Sequence, residues 1–130
     1  FKKLDFVIGS HTFSHLNLKK ISNKKKLKFE IVDSANKLQK LLKIKINNFS
    51  FTFGRLDDIS QKSLKISKNR FNYIFTGIRG ENLNKSKLIF RDNVLPNDRI
   101  YDLYAYLSGY YDFLYSNERK IIKKNFRKII

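Results

Sequence analysis

The sequence predicts an α/β fold built on a mostly parallel sheet, and three observations carry that expectation. Short apolar runs of strand length close on glycine or a turn residue, and amphipathic helical patterns separate them. The elements follow one another as strand, loop, helix, strand, helix, strand, strand, helix, the alternation of α/β proteins. With about four strands and no closing partner, this order is that of part of a larger sheet or barrel.

Composition sets the outer bounds. At 130 residues, 42% hydrophobic and 15% aromatic, the chain can bury a core and lacks the composition of a disordered segment. Cysteine is absent, so neither a disulfide framework nor a thiolate metal site can form, and any metal must take nitrogen and oxygen ligands. The net charge of +17 invites a polyanion partner. Most of the cations are lysines spread along the chain among Asn, Ile and Phe, and arginine, the residue of bidentate base contacts, is the minority; specific nucleic-acid recognition is not expected. No run approaches the roughly 18–20 apolar residues that span a bilayer. Phe1-Lys2-Lys3-Leu4-Asp5 has neither the apolar core nor the cleavage site of a signal peptide. The chain begins at Phe1 and contains no Met, so we expect a fragment or a processed piece.

Taken in order, Phe6-Val7-Ile8 is a short run closed by Gly9, expected as a buried parallel strand whose carboxyl end presents a loop. That loop, Gly9-Ser10-His11-Thr12-Phe13-Ser14-His15, holds both histidines of the chain, four residues apart. On one helical turn that spacing brings two imidazoles to a common ion, so the stretch reads as half of a metal site or as ordinary polar residues at a helix start. From Ser22 to about Lys43, Leu27, Ile31, Ala35, Leu38 and Leu42 form an apolar stripe widened by Leu41. This predicts a helix with Ser22 as N-cap, Lys24-Lys25-Lys26 on its solvated face, and Glu30 and Asp33 as surface partners of neighbouring lysines.

Phe49-Ser50-Phe51-Thr52-Phe53-Gly54 alternates apolar and small polar residues and predicts a strand. Asp57-Asp58 precedes a helical pattern through Leu64 and Ile66; adjacent carboxylates can do acid/base work, but capping the helix is the better reading. Phe71 to Thr76 predicts another strand. The Gly77-Ile78-Arg79-Gly80 loop after it lacks the Lys-Ser/Thr ending of a phosphate-cradling loop. Leu88-Ile89-Phe90-Arg91 is the fourth strand, with Pro96 marking the turn beyond. Ile100, Leu103, Tyr104, Leu107, Tyr110, Tyr111 and Leu114 keep helical spacing through Gly109; a core stripe is favoured over a surface that stacks on sugars or bases. From Glu118 to Ile130 cationic and apolar residues alternate, the pattern of a solvated helix or frayed end, or of a segment lying on an anionic membrane surface.

Two separated stretches resemble one family. Ile8-Gly9-Ser10-His11-Thr12-Phe13-Ser14-His15-Leu16-Asn17-Leu18 looks like the second motif of the polysaccharide deacetylases, the NodB homology domain of carbohydrate esterase family 4. Phe49 to Gly54 resembles the third motif, usually an aromatic-rich segment ending in Pro-aromatic-Gly, with Thr52 where proline is usual and Ser50 where some members carry arginine. The helix between them lies where the family requires one.

The resemblance implies a distorted (β/α) barrel whose first strands precede Phe1, with residues 1–116 a partial deacetylase domain and 117–130 a basic amphipathic tail. It also implies metal-dependent hydrolysis of N-acetyl, or O-acetyl, groups on a polysaccharide. The ion, typically zinc, is held by two histidines and an aspartate, and His11 and His15 take the histidine positions. The backbone N–H of Phe53 matches the oxyanion donor, and Phe51, Phe53 and Arg91 are the expected substrate contacts, although Arg91 is equally readable as a structural partner of a carboxylate. Members commonly work outside the cytoplasm on envelope glycans.

The departures are as informative. The family's Thr-Phe-Asp-Asp-Gly type motif, source of the base and the aspartate ligand, lies upstream of the histidines and is absent; Asp5 sits too close on the same strand to replace it. No histidine follows His15, so the family's late acid is absent too. The isolated chain is therefore expected to be inactive. A His-Glu-x-x-His protease is excluded on chemistry, because Thr12 stands where the glutamate base belongs. The alternative function is a non-catalytic basic domain for acidic glycan or nucleic acid, which steep salt dependence of binding would reveal.

Overall fold

The computed structural model describes residues 6–82 and 86–129. Three strands, β1 (Asn48–Ser50), β2 (Tyr73–Phe75) and β3 (Leu88–Ile89), form a parallel sheet in the order β1-β2-β3. The registers pair Phe49 with Ile74 and Phe75 with Ile89. On the free side of β1, Ser10 makes a parallel bridge to Phe49, its N–H donating to the Asn48 carbonyl at 2.8 Å and its carbonyl accepting from the Ser50 N–H at 2.9 Å. Four neighbouring stretches thus run the same way. Among the described residues the sheet is open, and no barrel is closed.

The first stretch departs from expectation. It aligns with β1 but makes only that one bridge among the described residues, and Phe6 and Val7 are exposed rather than buried, 62% and 79% accessible. Asp5 lies outside the described residues.

The long helix forms as the stripe predicts, in three continuous parts: α1 (Lys24–Lys28), a π-helical turn (Phe29–Asp33) and α2 (Ser34–Leu42). Its cap is Asn23, not Ser22: the Asn23 side-chain oxygen accepts from the N–H groups of Lys25 at 2.8 Å and Lys26 at 3.2 Å. This cap offsets part of the cost of the lysines that follow, whose charges oppose the helix dipole. Leu27, Ile31 and Ala35 are fully buried, whereas Leu41 is exposed. Glu30, expected on the surface, lies on the buried face at 1% accessibility. Lys43 ends the helix in the left-handed conformation, φ 52°.

The strand expected over 49–54 stops at Ser50, because Phe53 and Gly54 turn left-handed at φ 59° and 73°. Asp57 and Asp58 do not cap a long helix. Asp57 pairs with Lys19 at 3.1 Å, and Asp58 accepts from Asn17 Nδ2 at 2.5 Å and from the Arg55 N–H at 3.2 Å. The cap of α3 (Gln61–Arg70) is Ser60, whose Oγ accepts from the Ser63 N–H at 3.1 Å. Here Leu64 is buried beside Ser63 and Ser67.

After β3, Asp98 closes the Pro96 turn by accepting from the Leu95 N–H at 2.7 Å. The helix expected over 100–114 is broken: α4 (Ile100–Leu107) ends before Gly109, whose φ of 70° is left-handed, and a 3-10 turn covers Asp112–Tyr115. No residue of α4 is buried, so its aromatic stripe is not core; Tyr101, Tyr104 and Leu107 face solvent. The helix is anchored by Tyr106, whose ring lies 4.0 Å beneath the Arg79 guanidinium. The basic segment is α5 (Ser116–Arg127), and its apolar side is taken by the core: Ile122 is buried, with Phe126 and Ile129 packed alongside.

One core joins the sheet to its helices. Phe49 packs edge-on to Phe51 at 5.1 Å and stacks on Phe71 at 5.1 Å, among Leu27, Ile31, Leu64 and Ile74. Each such buried side chain contributes about 1.5–3 kcal/mol. This rigid layer holds still the loops at the sheet's carboxyl edge.

Candidate active site

Parallel strands bring their carboxyl ends to one edge of a sheet, and that edge is where α/β folds carry chemistry. Here the loop after Ser10 carries the histidines, the loop after β1 carries Phe51 to Gly54, the loop after β2 carries Thr76 and Gly77, and Arg91 follows β3.

The histidine loop is not helical. Thr12 and His15 both adopt left-handed backbone, φ 67° and 54°, and this double turn brings the two imidazoles to 5.0 Å between ring centroids, edge to face. Non-glycine residues in that region each cost of order 1–2 kcal/mol, so the surroundings must hold them. Thr12 Oγ1 accepts from the His15 N–H at 3.1 Å. Glu30 Oε2 accepts from the N–H groups of Phe13 at 3.0 Å and Ser14 at 2.9 Å.

His11 Nδ1 lies 2.8 Å from the Ser50 carbonyl oxygen. A carbonyl only accepts, so Nδ1 carries a proton, and in the neutral ring Nε2 keeps its lone pair, the tautomer a metal ligand needs. The donor chemistry of His11 and His15 therefore fits two positions of a metal site. Among the described residues no third His, Cys, Asp or Glu joins them.

The loop after β1 meets the histidine loop at His15. The Phe53 ring packs edge-on to His15 at 5.4 Å and is 58% exposed, and the Phe53 N–H makes no hydrogen bond among the described residues. Thr52, the residue standing where the family carries proline, is buried, and its hydroxyl donates to the Leu16 carbonyl at 2.6 Å, tying this loop to the end of the histidine loop. Gly54 and Gly77 cross so closely that the Gly77 N–H donates to the Gly54 carbonyl at 2.8 Å.

Phe51, expected as a substrate contact, is fully buried against Phe49 and offers a ligand no side-chain surface. Arg91 reaches the site through its backbone partners: Nε donates to the Thr76 carbonyl at 2.8 Å and Nη2 to the Phe51 carbonyl at 3.5 Å. Burial holds its guanidinium below the usual arginine value. The expected carboxylate pair belongs instead to Arg79, whose Nε meets Asp92 Oδ1 at 2.8 Å.

Sequence alone missed two residues. Glu30 and Thr52 hold the loops and make no contact that a motif would register; the signal for Glu30 is its place on the apolar stripe, three residues after Leu27 and one before Ile31. A cavity of about 870 Å³ lies elsewhere, lined by Phe90, Asp92, Tyr106 and Arg119, and contains neither histidine.

Comparison with known proteins gives the family and the fold. The family model "Polysaccharide deacetylase" matches residues 2–70, and the chain belongs to that family. Among solved structures, BC0361, a polysaccharide deacetylase from Bacillus cereus, is similar with a TM-score of 0.67 at 20% identity, over 82% of this chain and 33% of that one. A Bacillus anthracis protein, BA0330, whose name assigns it to the same class, is similar with a TM-score of 0.62 at 20% identity, over 75% of this chain and 30% of its own. These likenesses establish the shared fold, and the chain spans about a third of the length of the structures it matches. No curated protein matches it.

Proposed function

We propose that this chain contributes the histidine half of a metal-dependent hydrolase that removes acetyl groups from an N-acetylated, or O-acetylated, polysaccharide. The observation that carries this is the imidazole pair: His11 with its Nδ1 proton committed to Ser50, beside His15, under the Phe53 loop. His11 and His15 would hold a divalent ion, with zinc the best match to a nitrogen donor set. Such an ion polarises the acetyl carbonyl and brings the pKa of a water down toward about 7.

The chain's own groups then have separate tasks. The Phe53 N–H donates to the carbonyl oxygen as negative charge develops there, a contact that strengthens toward the tetrahedral state and so lowers the barrier. The exposed Phe53 ring offers an apolar face for the sugar, and Arg91, tethered by the carbonyls of Thr76 and Phe51, would contact it from the strand edge. In the hydrolysis water oxygen bonds to the acetyl carbon, the carbon–nitrogen bond breaks, and the sugar nitrogen leaves as the amine after taking a proton.

Two imidazoles without a carboxylate hold a metal weakly. We therefore expect the 130-residue chain on its own to release no acetate. In the full-length protein we expect about one zinc per molecule, lost together with acetate release in His11→Ala and in His15→Ala. Metal analysis finding wild-type zinc in both variants refutes the assignment.

A further inference from the structure

We propose that Glu30 is a positioning residue for the metal-binding loop: its buried carboxylate fixes the turn between His11 and His15 and so sets the distance between the two imidazoles. The inference rests on the metal reading of the two histidines given above.

Glu30 is 1% exposed and belongs to the π-helical turn Phe29–Asp33, where the Ser34 N–H bonds five residues back to the Phe29 carbonyl. Such turns interrupt α-helices mostly at functional positions. Here the turn aims a charged side chain out of an apolar face and at a loop rather than at water. A single oxygen, Oε2, accepts from two successive N–H groups, those of Phe13 and Ser14, and these lie between the two ligands.

The loop needs holding. Thr12 and His15, which flank that pair of N–H groups, both sit in left-handed backbone. Without the carboxylate, Phe13 and Ser14 lose their acceptor, and the turn is free to relax to less strained dihedrals that part the imidazoles. The helix itself is locked from below: Ser34 Oγ donates to the Glu30 carbonyl at 2.6 Å and lies 3.3 Å from Ser10 Oγ, tying the π turn to the strand that leads into the loop. The burial of an ionisable group here is thus repaid at the ligand geometry, since a carboxylate accepts from N–H groups about twice as strongly as a neutral oxygen.

The test uses the full-length protein, with cobalt(II) as a coloured probe of the histidine site, and backbone amide exchange measured without metal. In Glu30→Ala the cobalt affinity is expected to fall about 10–100-fold, as for other residues that orient ligands, with a changed visible absorption band. Exchange is expected to accelerate at Phe13, Ser14 and His15 while Phe49 and Ile74 stay protected, which a general loss of stability would not produce. Glu30→Gln, which keeps an acceptor oxygen on the same stem, is expected to restore most of the affinity. If Glu30→Ala fails to fold, Glu30→Asp decides, because a stem one carbon shorter cannot reach both N–H groups. Wild-type cobalt affinity and wild-type exchange in the loop of the folded variant overturn the proposal while leaving the metal site standing. Cobalt binding that survives both His11→Ala and His15→Ala overturns the metal reading and this proposal with it.

Discussion

Gly77→Ala is the sharpest probe of the loop that carries the proposed oxyanion donor. A Cβ built on Gly77 lies 2.3 Å from the Phe53 carbonyl oxygen and 3.3 Å from the Gly54 carbonyl carbon. Gly77 is not among the left-handed residues, so close approach alone makes the site intolerant. Contacts to a Cβ under 3.0 Å are essentially never seen, so the Phe53 peptide must withdraw by about 0.7 Å. The obstacle is backbone, held by the bond from the Gly77 N–H to the Gly54 carbonyl at 2.8 Å, and no flexible side chain can give way instead. Overpacking costs about 1–3 kcal/mol and the strained hydrogen bond about 1 more, so a loss of about 2–4 kcal/mol is expected in urea unfolding. In the full-length protein the displaced Phe53 N–H should also lower acetate release on the order of tenfold to a hundredfold, since misplacement by about 1 Å costs about a hundredfold. Gly9→Ala is the control, because its Cβ meets Asn48 at 3.2 Å, a milder contact. Wild-type unfolding and turnover in Gly77→Ala would refute the reasoning.

Other consequences are open to direct measurement. Thr52→Val removes the 2.6 Å bond to the Leu16 carbonyl and should cost about 1–3 kcal/mol in a denaturant melt; a loss below about 0.5 kcal/mol would show that water replaces the hydroxyl there. Asn23→Ala, by orphaning the N–H groups of Lys25 and Lys26, should destabilise by about 1 kcal/mol, read in the same melt. Burial holds the Asp92 carboxyl above its ordinary 3.8, against the opposing pull of Arg79. The folded chain then binds that proton more tightly than the unfolded one, so the contribution of Asp92 to stability falls as pH rises from 3.8 through the raised value and stays lost above it. Asp92→Asn should therefore gain relative to wild type as pH climbs through that window, and parallel stability–pH curves would contradict the sign.

The candidate site was legible because its parts are contiguous. His11 to His15 and Phe49 to Gly54 are each a single run of chain, and the order of strand, loop and helix around them follows from hydrophobic period. By itself the sequence determined the α/β class, the parallel succession of elements, the long helix between the two motifs and the candidate ligands. Local periodicity does not report what lies opposite. The stripe on α4 has the spacing of a core face, yet nothing among the described residues buries it. The stripe that buries Leu27 and Ile31 also buries Glu30, because the π turn aims that carboxylate at two N–H groups supplied from 16 and 17 residues upstream. Phe51 reads as a rim residue in its motif but belongs to the core, where Phe49 packs edge-on against it. Only the tertiary structure decided which His11 nitrogen keeps its lone pair, because the partner that settles it is the carbonyl of Ser50, 39 residues away. Long-range hydrogen bonds select among conformations that local sequence leaves equal, and the geometry of this site is made almost entirely of them.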